Sequence, residues 1–152
     1  MPPHESSEAI PRDVLESLEL LFFGAIGMTT IALADASASD LTLSQWRALV
    51  VLGRADNQRV GDVAARIGTS LPSTSRLLSR LERRGYVRSE RDESDRRATL
   101  VQLTPAGSSV RAAVIARRRE LITNALSSYA NRLPKDLSGG LATLAQAFDR
   151  YE

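Results

Sequence analysis

The chain has 152 residues, of which 43% are hydrophobic and 25% charged, and its formal net charge is +2. This composition is typical of one globular domain with a substantial core. Because the sequence contains no cysteine, disulfide bonds and thiol redox sensing within it are excluded. We therefore expect a single cytoplasmic domain in residues 12–152, preceded by a flexible tail in residues 1–11.

Neither a membrane anchor nor a signal peptide is predicted. The longest apolar run, residues 18–34, is interrupted by Glu19, two Gly and two Thr, so we expect no segment that spans a bilayer. The first residues also lack a basic region followed by an apolar stretch, which a secretory signal requires.

Positive charge is concentrated in one part of the chain. Residues 59–104 contain ten Arg and six acidic residues, whereas the rest of the chain contains ten basic and twelve acidic residues. A localised basic region on a nearly neutral protein is the electrostatic pattern of a DNA-binding surface.

The first predicted helix covers residues 12–36. Its apolar residues recur at alternating spacings of four and three, which is the period of one helical face. Phe22 and Phe23 widen this face, and a wide apolar face packs deep in a core or against a second chain. The face consists of Val14, Leu18, Leu21, Ala25, Met28 and Ala32.

Three further helices are predicted from capping signals. Thr42 and Gln45 have the spacing of a capping box, which starts a second helix. A short third helix ends at Gly68, and a fourth begins near Ser70 and ends at Gly85. Two short helices joined by a tight turn are typical of a helix-turn-helix. The inner stripe of the fourth helix is Leu71, Thr74, Leu78 and Leu81.

A hairpin and two more helices complete the chain. Residues 86–91 and 99–103 are predicted strands joined by a turn at 92–95. Thr104 and Pro105 begin a fifth helix that extends to about residue 130. The fold class is therefore mainly α with a small β-hairpin wing, a winged helix-turn-helix with additional N- and C-terminal helices. The last helix carries Leu137, Leu141, Leu144, Phe148 and Tyr151, with Gly139 and Gly140 weakening its first half by about 1 kcal/mol each.

The fourth helix and the hairpin tip hold the candidate DNA contacts. The second helix of a helix-turn-helix presents its N-terminal half to base edges in the major groove, and Arg on a wing can enter the minor groove. Asp95 would be repelled by DNA, so we expect it to orient a neighbouring Arg. Exposed Arg side chains are also often merely solvated, and Arg83 and Arg84 are equally consistent with a face that Glu82 partly neutralises. The candidates are Ser70, Ser73, Thr74, Arg76, Arg80, Arg83, Arg84, Asp95, Arg96 and Arg97.

Four segments resemble, in order and spacing, the MarR family (multiple antibiotic resistance regulators) of bacterial winged-helix repressors. The most specific segment combines an Asp-Arg-Arg wing tip with a strand that ends in Leu-Thr and a Gly soon after. The resemblance extends over residues 12–151. The segments are LTLSQWRALVVL (41–52), VGDVAARIG (60–68), SRLLSRLERRGYVRSER (75–91) and DRRATLVQLTPAG (95–107).

The resemblance implies a homodimer that binds double-stranded DNA. Residues 12–36 and 105–152 would form the dimer, and residues 42–104 would be the DNA-binding region. Two such regions would meet the half-sites of a pseudo-palindrome about 10 bp apart. The paired Gly139 and Gly140 depart from the family's last helix and indicate either a hinge or neutral drift. The implied dimer residues are Val14, Leu18, Leu21, Leu137, Leu141, Leu144 and Phe148.

The resemblance also implies a repressor released by a small aromatic or phenolic ligand, bound between the dimer helices and the winged region. For Trp46 and Phe22, the alternative to ligand binding is ordinary packing in the hydrophobic core. We expect no cofactor and no metal site, because His4 is the only histidine and lies in the tail. The implied ligand contacts are Phe22, Ile26, Trp46, Arg47 and Leu49.

An enzyme and a protein-binding module are the two alternatives to a DNA-binding regulator. An enzyme is not expected, because the sequence shows no nucleophile–base pair and no glycine-rich phosphate loop. A winged-helix module that binds proteins without specific DNA binding is the remaining alternative. The Arg-rich wing favours DNA.

Overall fold

The described part of the computed structural model, residues 9–36, 40–96 and 98–148, contains six α helices, one 3-10 helix and three strands. The long N-terminal helix is followed by a winged helix-turn-helix and then by the C-terminal helices. In chain order the elements are α1 Arg12–Asp35, α2 Leu43–Leu52, β1 Gln58–Arg59, α3 Val60–Ile67, α4 Leu71–Arg83, β2 Val87–Arg91, β3 Thr99–Leu103, α5 Pro105–Leu126, the 3-10 helix Ser127–Arg132 and α6 Leu137–Phe148.

The predicted hairpin is confirmed, and a third strand extends it to an antiparallel sheet in the order β1-β3-β2. Val87 pairs with Leu103 at the base of the hairpin, and Arg91 pairs with Thr99 near its tip. The strand that the sequence did not predict is β1, which has only two residues, Gln58 and Arg59, too few to show an alternating pattern.

The local signals that start and end the helices of the winged region are confirmed. The hydroxyl of Thr42 accepts the Gln45 N–H at 3.2 Å, and the Gln45 side chain accepts the Thr42 N–H at 3.0 Å. Gly68 ends α3 with a φ of 69°, a left-handed conformation that favours glycine. Because these contacts span three residues or fewer, the sequence alone is sufficient to predict them.

One hydrophobic core holds the winged region together and joins it to α5. Leu49 and Leu52 of α2, Leu81 of α4, Val101 of β3 and Val114 of α5 are all at most 2% exposed. A buried Leu contributes roughly 2–5 kcal/mol relative to Ala, so this cluster holds α4, the candidate recognition helix, and the β2–β3 hairpin on a rigid base.

Most of α1 lies outside this core. Its buried residues, Thr29, Ala32 and Leu33, all belong to its C-terminal third. There Asp35 forms a 2.8 Å ion pair with Arg117 of α5. Further towards the N-terminus, Leu20 and Phe23 are 73% and 72% exposed.

The prediction that no segment could span a bilayer is wrong by length and composition. The helix α1 has 24 residues, and an 18-residue window within it has a mean hydropathy of 1.7, with only 17% of the window buried. A single acidic residue does not lower the mean enough to exclude it. The same exposed apolar helix is also what an interface between two chains requires.

The C-terminal helices differ from the prediction at one boundary. The fifth helix ends at Leu126, and residues 127–132 continue as a 3-10 helix. The last helix contacts α1 through an edge-to-face pair of Phe22 and Phe148, whose ring centroids are 5.2 Å apart. No residue of α6 is buried within one chain. Of the predicted stripe, Tyr151 lies outside the described residues.

The start of α5 is fastened to the end of the recognition helix. The Thr104 hydroxyl accepts the Gly107 N–H at 3.1 Å and donates to the carbonyl of Gly85, while the Thr104 N–H donates to the Tyr86 carbonyl at 3.1 Å. A Cβ atom added to Gly107 would overlap the Tyr86 carbonyl oxygen. The absence of a side chain at residue 107 is therefore what allows this close approach.

Candidate nucleic-acid interface

The exposed face of α4 carries hydroxyls at its start and guanidinium groups further along. Ser70 caps the helix, accepting the Ser73 N–H at 3.4 Å and donating to the Ser73 hydroxyl at 3.0 Å. Both serines are exposed, as are Arg76, Arg80 and Arg83. This arrangement can present hydroxyl, N–H and guanidinium donors to phosphates and base edges.

Thr74 does not belong to this face, which corrects the prediction that it contacts DNA. Its exposure is 0%, and its hydroxyl is hydrogen-bonded to the Thr69 hydroxyl at 2.7 Å. Thr74 shares the inward stripe with Leu78 and Leu81. Its role is to fasten the turn before α4 to the helix, because a side chain without exposed surface cannot touch a ligand.

Arg84 stands apart from the other arginines of the recognition helix. Its guanidinium donates to the Asp40 carboxylate at 2.9 Å and to the Asp40 backbone carbonyl at 3.0 Å. The same group lies 5.6 Å from the centre of the Tyr86 ring, within the range of a cation–π contact. Arg84 is therefore engaged within the protein, whereas the neighbouring Arg83 is exposed.

The turn of the wing is organised around Asp92. One oxygen of its carboxylate accepts the Ser94 N–H at 2.9 Å and the Ser94 hydroxyl at 2.6 Å. The other accepts from Arg59 at 3.0 Å, and Arg59 also lies 4.0 Å from the Asp95 carboxylate. Asp95 was predicted to orient a wing Arg, and the structure places it beside this additional guanidinium of β1. Arg96 is exposed at the tip, and Arg97 lies outside the described residues.

The two hydrogen bonds from Ser94, with a smaller contribution from Arg59, lower the pKa of Asp92 from 3.8 to about 2. The ionised carboxylate therefore stabilises the folded turn fully above its ordinary pKa of 3.8, and this contribution is lost progressively as the pH falls from there through about 2. We expect the wing turn to keep its geometry at all pH values above about 4. An NMR titration of the Asp92 carboxyl carbon should show its midpoint near 2. A midpoint at the value of a free aspartate would contradict the hydrogen-bonded turn.

A groove of about 530 Å³ separates α4 from the wing. Glu82 bridges one part of it, since its carboxylate accepts the Ser89 N–H of β2 at 2.7 Å. The recognition helix and the wing thus lie side by side at a separation that this contact helps to fix. The lining includes apolar residues (Val60, Leu71, Leu78 and Val101), hydroxyl residues (Ser75, Ser79, Ser89 and Thr99) and the acidic residues Asp62 and Glu82.

The five predicted ligand contacts differ in their surroundings within one chain. Trp46 and Leu49 are 4% and 0% exposed and belong to the hydrophobic core, which corrects their assignment as pocket lining. Phe22 and Ile26 are about half exposed on α1. Arg47 donates to the Arg66 carbonyl at 3.2 Å and borders a hollow of about 140 Å³ beside the start of α2.

Exposed apolar side chains are concentrated outside the winged region. Of the predicted dimer residues, Val14, Leu21 and Leu141 are 41%, 61% and 48% exposed, and the other four are partly buried. Large apolar side chains that stay exposed in one chain mark an interaction surface. Further members on α1, α5, the 3-10 helix and the segments next to them are Ile10, Leu15, Leu20, Phe22, Phe23, Ile26, Ile31, Ile122, Leu126, Tyr129 and Leu133.

Comparison with known proteins links the winged region to a family. The family model described as MarR family matches residues 39–98. The HTH-type transcriptional regulator YfiV of Bacillus subtilis is 38% identical over 80 residues, which are 51% of this chain and 50% of that protein. The chain spans about half the length of the curated relatives it matches.

Solved structures share the fold over almost the whole chain. The crystal structure of RV1404 from Mycobacterium tuberculosis is similar with a TM-score of 0.79 and 22% identity, covering 91% of this chain and 95% of that one. Streptococcus pneumoniae FabT, solved in complex with DNA, is similar with a TM-score of 0.71 and 19% identity, covering 93% and 99%. The predicted winged helix-turn-helix with additional terminal helices is therefore confirmed as the fold.

Proposed function

We propose that this chain is a sequence-specific DNA-binding transcriptional regulator of the MarR family, whose family model matches its winged region at residues 39–98. The observation that carries the proposal is that α4 exposes a face of Ser and Arg residues while the β2–β3 hairpin packed beside it exposes Arg96 at its tip. A helix in the major groove and an Arg in the next minor groove need this arrangement. The similar FabT structure was solved with DNA, which supports the same partner here.

The regulator acts as a homodimer in this proposal. The exposed apolar residues of α1 and the lack of any buried residue in α6 leave a surface that a second copy of the chain would cover. A two-fold dimer presents two recognition helices, which bind two half-sites about one helical turn apart. The operator is therefore a pseudo-palindrome.

Repression in the cytoplasm, relieved by a small aromatic or phenolic ligand, is the finer part of the proposal. Such a ligand must bind one separation of the two recognition helices better than another, or it changes nothing. The exposed Phe22 and Ile26 of α1 and the exposed Arg47 of α2 remain candidate contacts for it. In the proposed dimer, residues of the partner chain would complete the ligand site around these side chains.

A protein-interaction module without specific DNA binding is the alternative, and salt dependence separates it from a regulator. Binding through Arg–phosphate contacts weakens steeply as salt rises, because each neutralised phosphate releases counterions. The proposal includes no enzymatic role, because the curated relatives that match the winged region are named as transcriptional regulators.

Replacement of Arg76 or Arg96, the two clearest candidate DNA contacts, should reduce DNA affinity in different ways. Arg76→Ala should cost about 1–3 kcal/mol and relax sequence preference at one position per half-site if the side chain makes a bidentate base contact. Arg96→Ala should lower affinity more evenly across sequences, and Arg97→Ala provides the companion test at the tip. Fluorescence anisotropy at several salt concentrations measures both effects.

Arg12→Ala on α1 is the control, because Arg12 is exposed and pairs only with Glu16 among the described contacts. Wild-type affinity in both wing variants would remove the wing from the interface.

A further inference from the structure

Arg84 occupies a part of the recognition helix that is poorly placed for DNA. It caps the C-terminal end of α4, whereas the N-terminal half of a recognition helix enters the major groove. From Ser70 to Arg84 the helix rises about 20 Å. Its side chain is only 29% exposed, against 80% for its partner Asp40.

The contacts of Arg84 fix its direction. Two different nitrogens donate to two different oxygens of Asp40, at 2.9 and 3.0 Å, and the Tyr86 ring lies against the same group at 5.6 Å. A planar guanidinium bound at two points and within cation–π range of a ring has little freedom to turn towards a phosphate. The side chain therefore acts on a neighbouring part of the protein.

Asp40 lies at the start of the winged region, just before α2. It follows the end of α1 and comes two residues before Thr42, which caps α2. The link between Arg84 and Asp40 spans 44 positions of the chain and connects the end of the recognition helix to the segment that leads into α2. A separate ion pair joins Asp35 at the end of α1 to Arg117 of α5.

We propose that Arg84 is a positioning residue that, through Asp40, holds the C-terminal end of the recognition helix against the segment leading into α2 and so sets the half-site spacing that the dimer accepts. The proposal rests on the DNA-binding function proposed above. Arg84 was predicted to contact DNA directly. In this proposal it instead orients the helix whose other residues contact DNA.

Whether Asp40→Ala raises or lowers DNA affinity distinguishes a phosphate contact by Arg84 from a positioning role. If Arg84 bound a phosphate, removing the nearby Asp40 carboxylate would free the guanidinium and strengthen binding, or leave it unchanged. If Arg84 positions the helix, Asp40→Ala and Arg84→Ala break the same link and weaken binding alike. The double variant is then no weaker than either single variant, because the two changes are not independent.

The experiment is a double-mutant cycle on full-length protein with an operator obtained by DNA selection. Affinity is measured across a range of salt concentrations and on duplexes whose half-site spacing is changed by one base pair in each direction. We expect each single variant to lose about threefold to tenfold in affinity for the native spacing and to discriminate less between spacings. The slope of log affinity against log salt should remain that of the wild type.

Two further variants keep the test decisive. Arg84→Lys retains the charge but loses the two-point geometry, so it should behave like Arg84→Ala. Arg83→Ala, at the exposed neighbour, should reduce the salt slope by about 1, as expected for a phosphate contact. A reduced slope in Arg84→Ala, or tighter binding by Asp40→Ala, would overturn the positioning role.

Failure of the proposed function gives a different result. If the wild-type protein binds no DNA sequence preferentially, the regulator proposal fails before the cycle begins. Thermal unfolding of the same four proteins without DNA then still tests the link itself. Equal, non-additive shifts of Tm support an Arg84–Asp40 contact, and additive shifts contradict it.

Discussion

Phe23→Asp should convert the proposed homodimer into a monomer and reduce affinity for a two-half-site operator by at least about 100-fold. The side chain is 72% exposed within one chain, so its replacement removes little packing from the monomer. In a dimer interface the same change buries an unpaired carboxylate, which is strongly unfavourable. Each winged region would then bind its half-site alone and lose the high effective concentration that the linked second half-site provides.

Sedimentation of the purified variant and its binding to one intact operator test this expectation. Phe23→Leu is the matched control, because it keeps an apolar side chain at the same position and should remain dimeric. Leu144→Asp examines the other side of the same surface, on α6, and should also split the dimer. An unchanged mass for both aspartate variants would show that the interface lies elsewhere, while an unfolded Phe23→Asp monomer would show that α1 belongs to the core of one chain.

Gly107→Ala should lower the free energy of unfolding by about 1–3 kcal/mol, and Tm by several degrees. The added methyl group would overlap the carbonyl oxygen of Tyr86. That oxygen belongs to the backbone and also accepts the Thr104 N–H, so it cannot move aside without breaking the junction between the recognition helix and α5.

A second glycine at the start of a helix provides the control for this change. Gly61, the second residue of α3, would place an added Cβ atom in open space. Gly61→Ala should therefore be neutral, or stabilising by up to about 1 kcal/mol, because alanine is the better helix former. Equal Tm values for the two alanine variants would mean that the junction at Gly107 relaxes easily and does not hold the recognition helix to α5.

The features that the sequence predicted correctly depend on short-range physical chemistry. Thr42 with Gln45, Ser70 before α4, and Thr104 with Pro105 each act within three residues, so residue type and spacing are sufficient to predict them. Gly68 follows from its need for a positive φ. These signals placed the recognition helix and the wing, and with them most of the candidate DNA contacts.

The features that the sequence missed depend on distant residues meeting in space. Arg59 reaches Asp92 across 33 positions, and Arg84 reaches Asp40 across 44. Neither pair has a periodic signal. Thr74 illustrates another limit, because a hydroxyl residue on an inward helical stripe is chemically able to bind DNA and is excluded only by its burial.

The long N-terminal helix shows why composition alone does not identify the partner of an apolar surface. Its hydropathy satisfies the test for a membrane span, and the exposure of Leu20 and Phe23 leaves its outer face uncovered in one chain. Its C-terminal third, however, packs into the core and pairs with α5 through Asp35 and Arg117. A second copy of the chain is the partner that the proposed function requires.

Selection from a random duplex pool tests the central claim most directly. Purified protein is mixed with the pool at moderate salt, and the retained DNA is sequenced after several rounds. The account predicts an enriched pseudo-palindrome whose half-site centres lie about 10 bp apart. Retention without any enriched sequence would contradict it, because a basic surface alone retains every duplex equally.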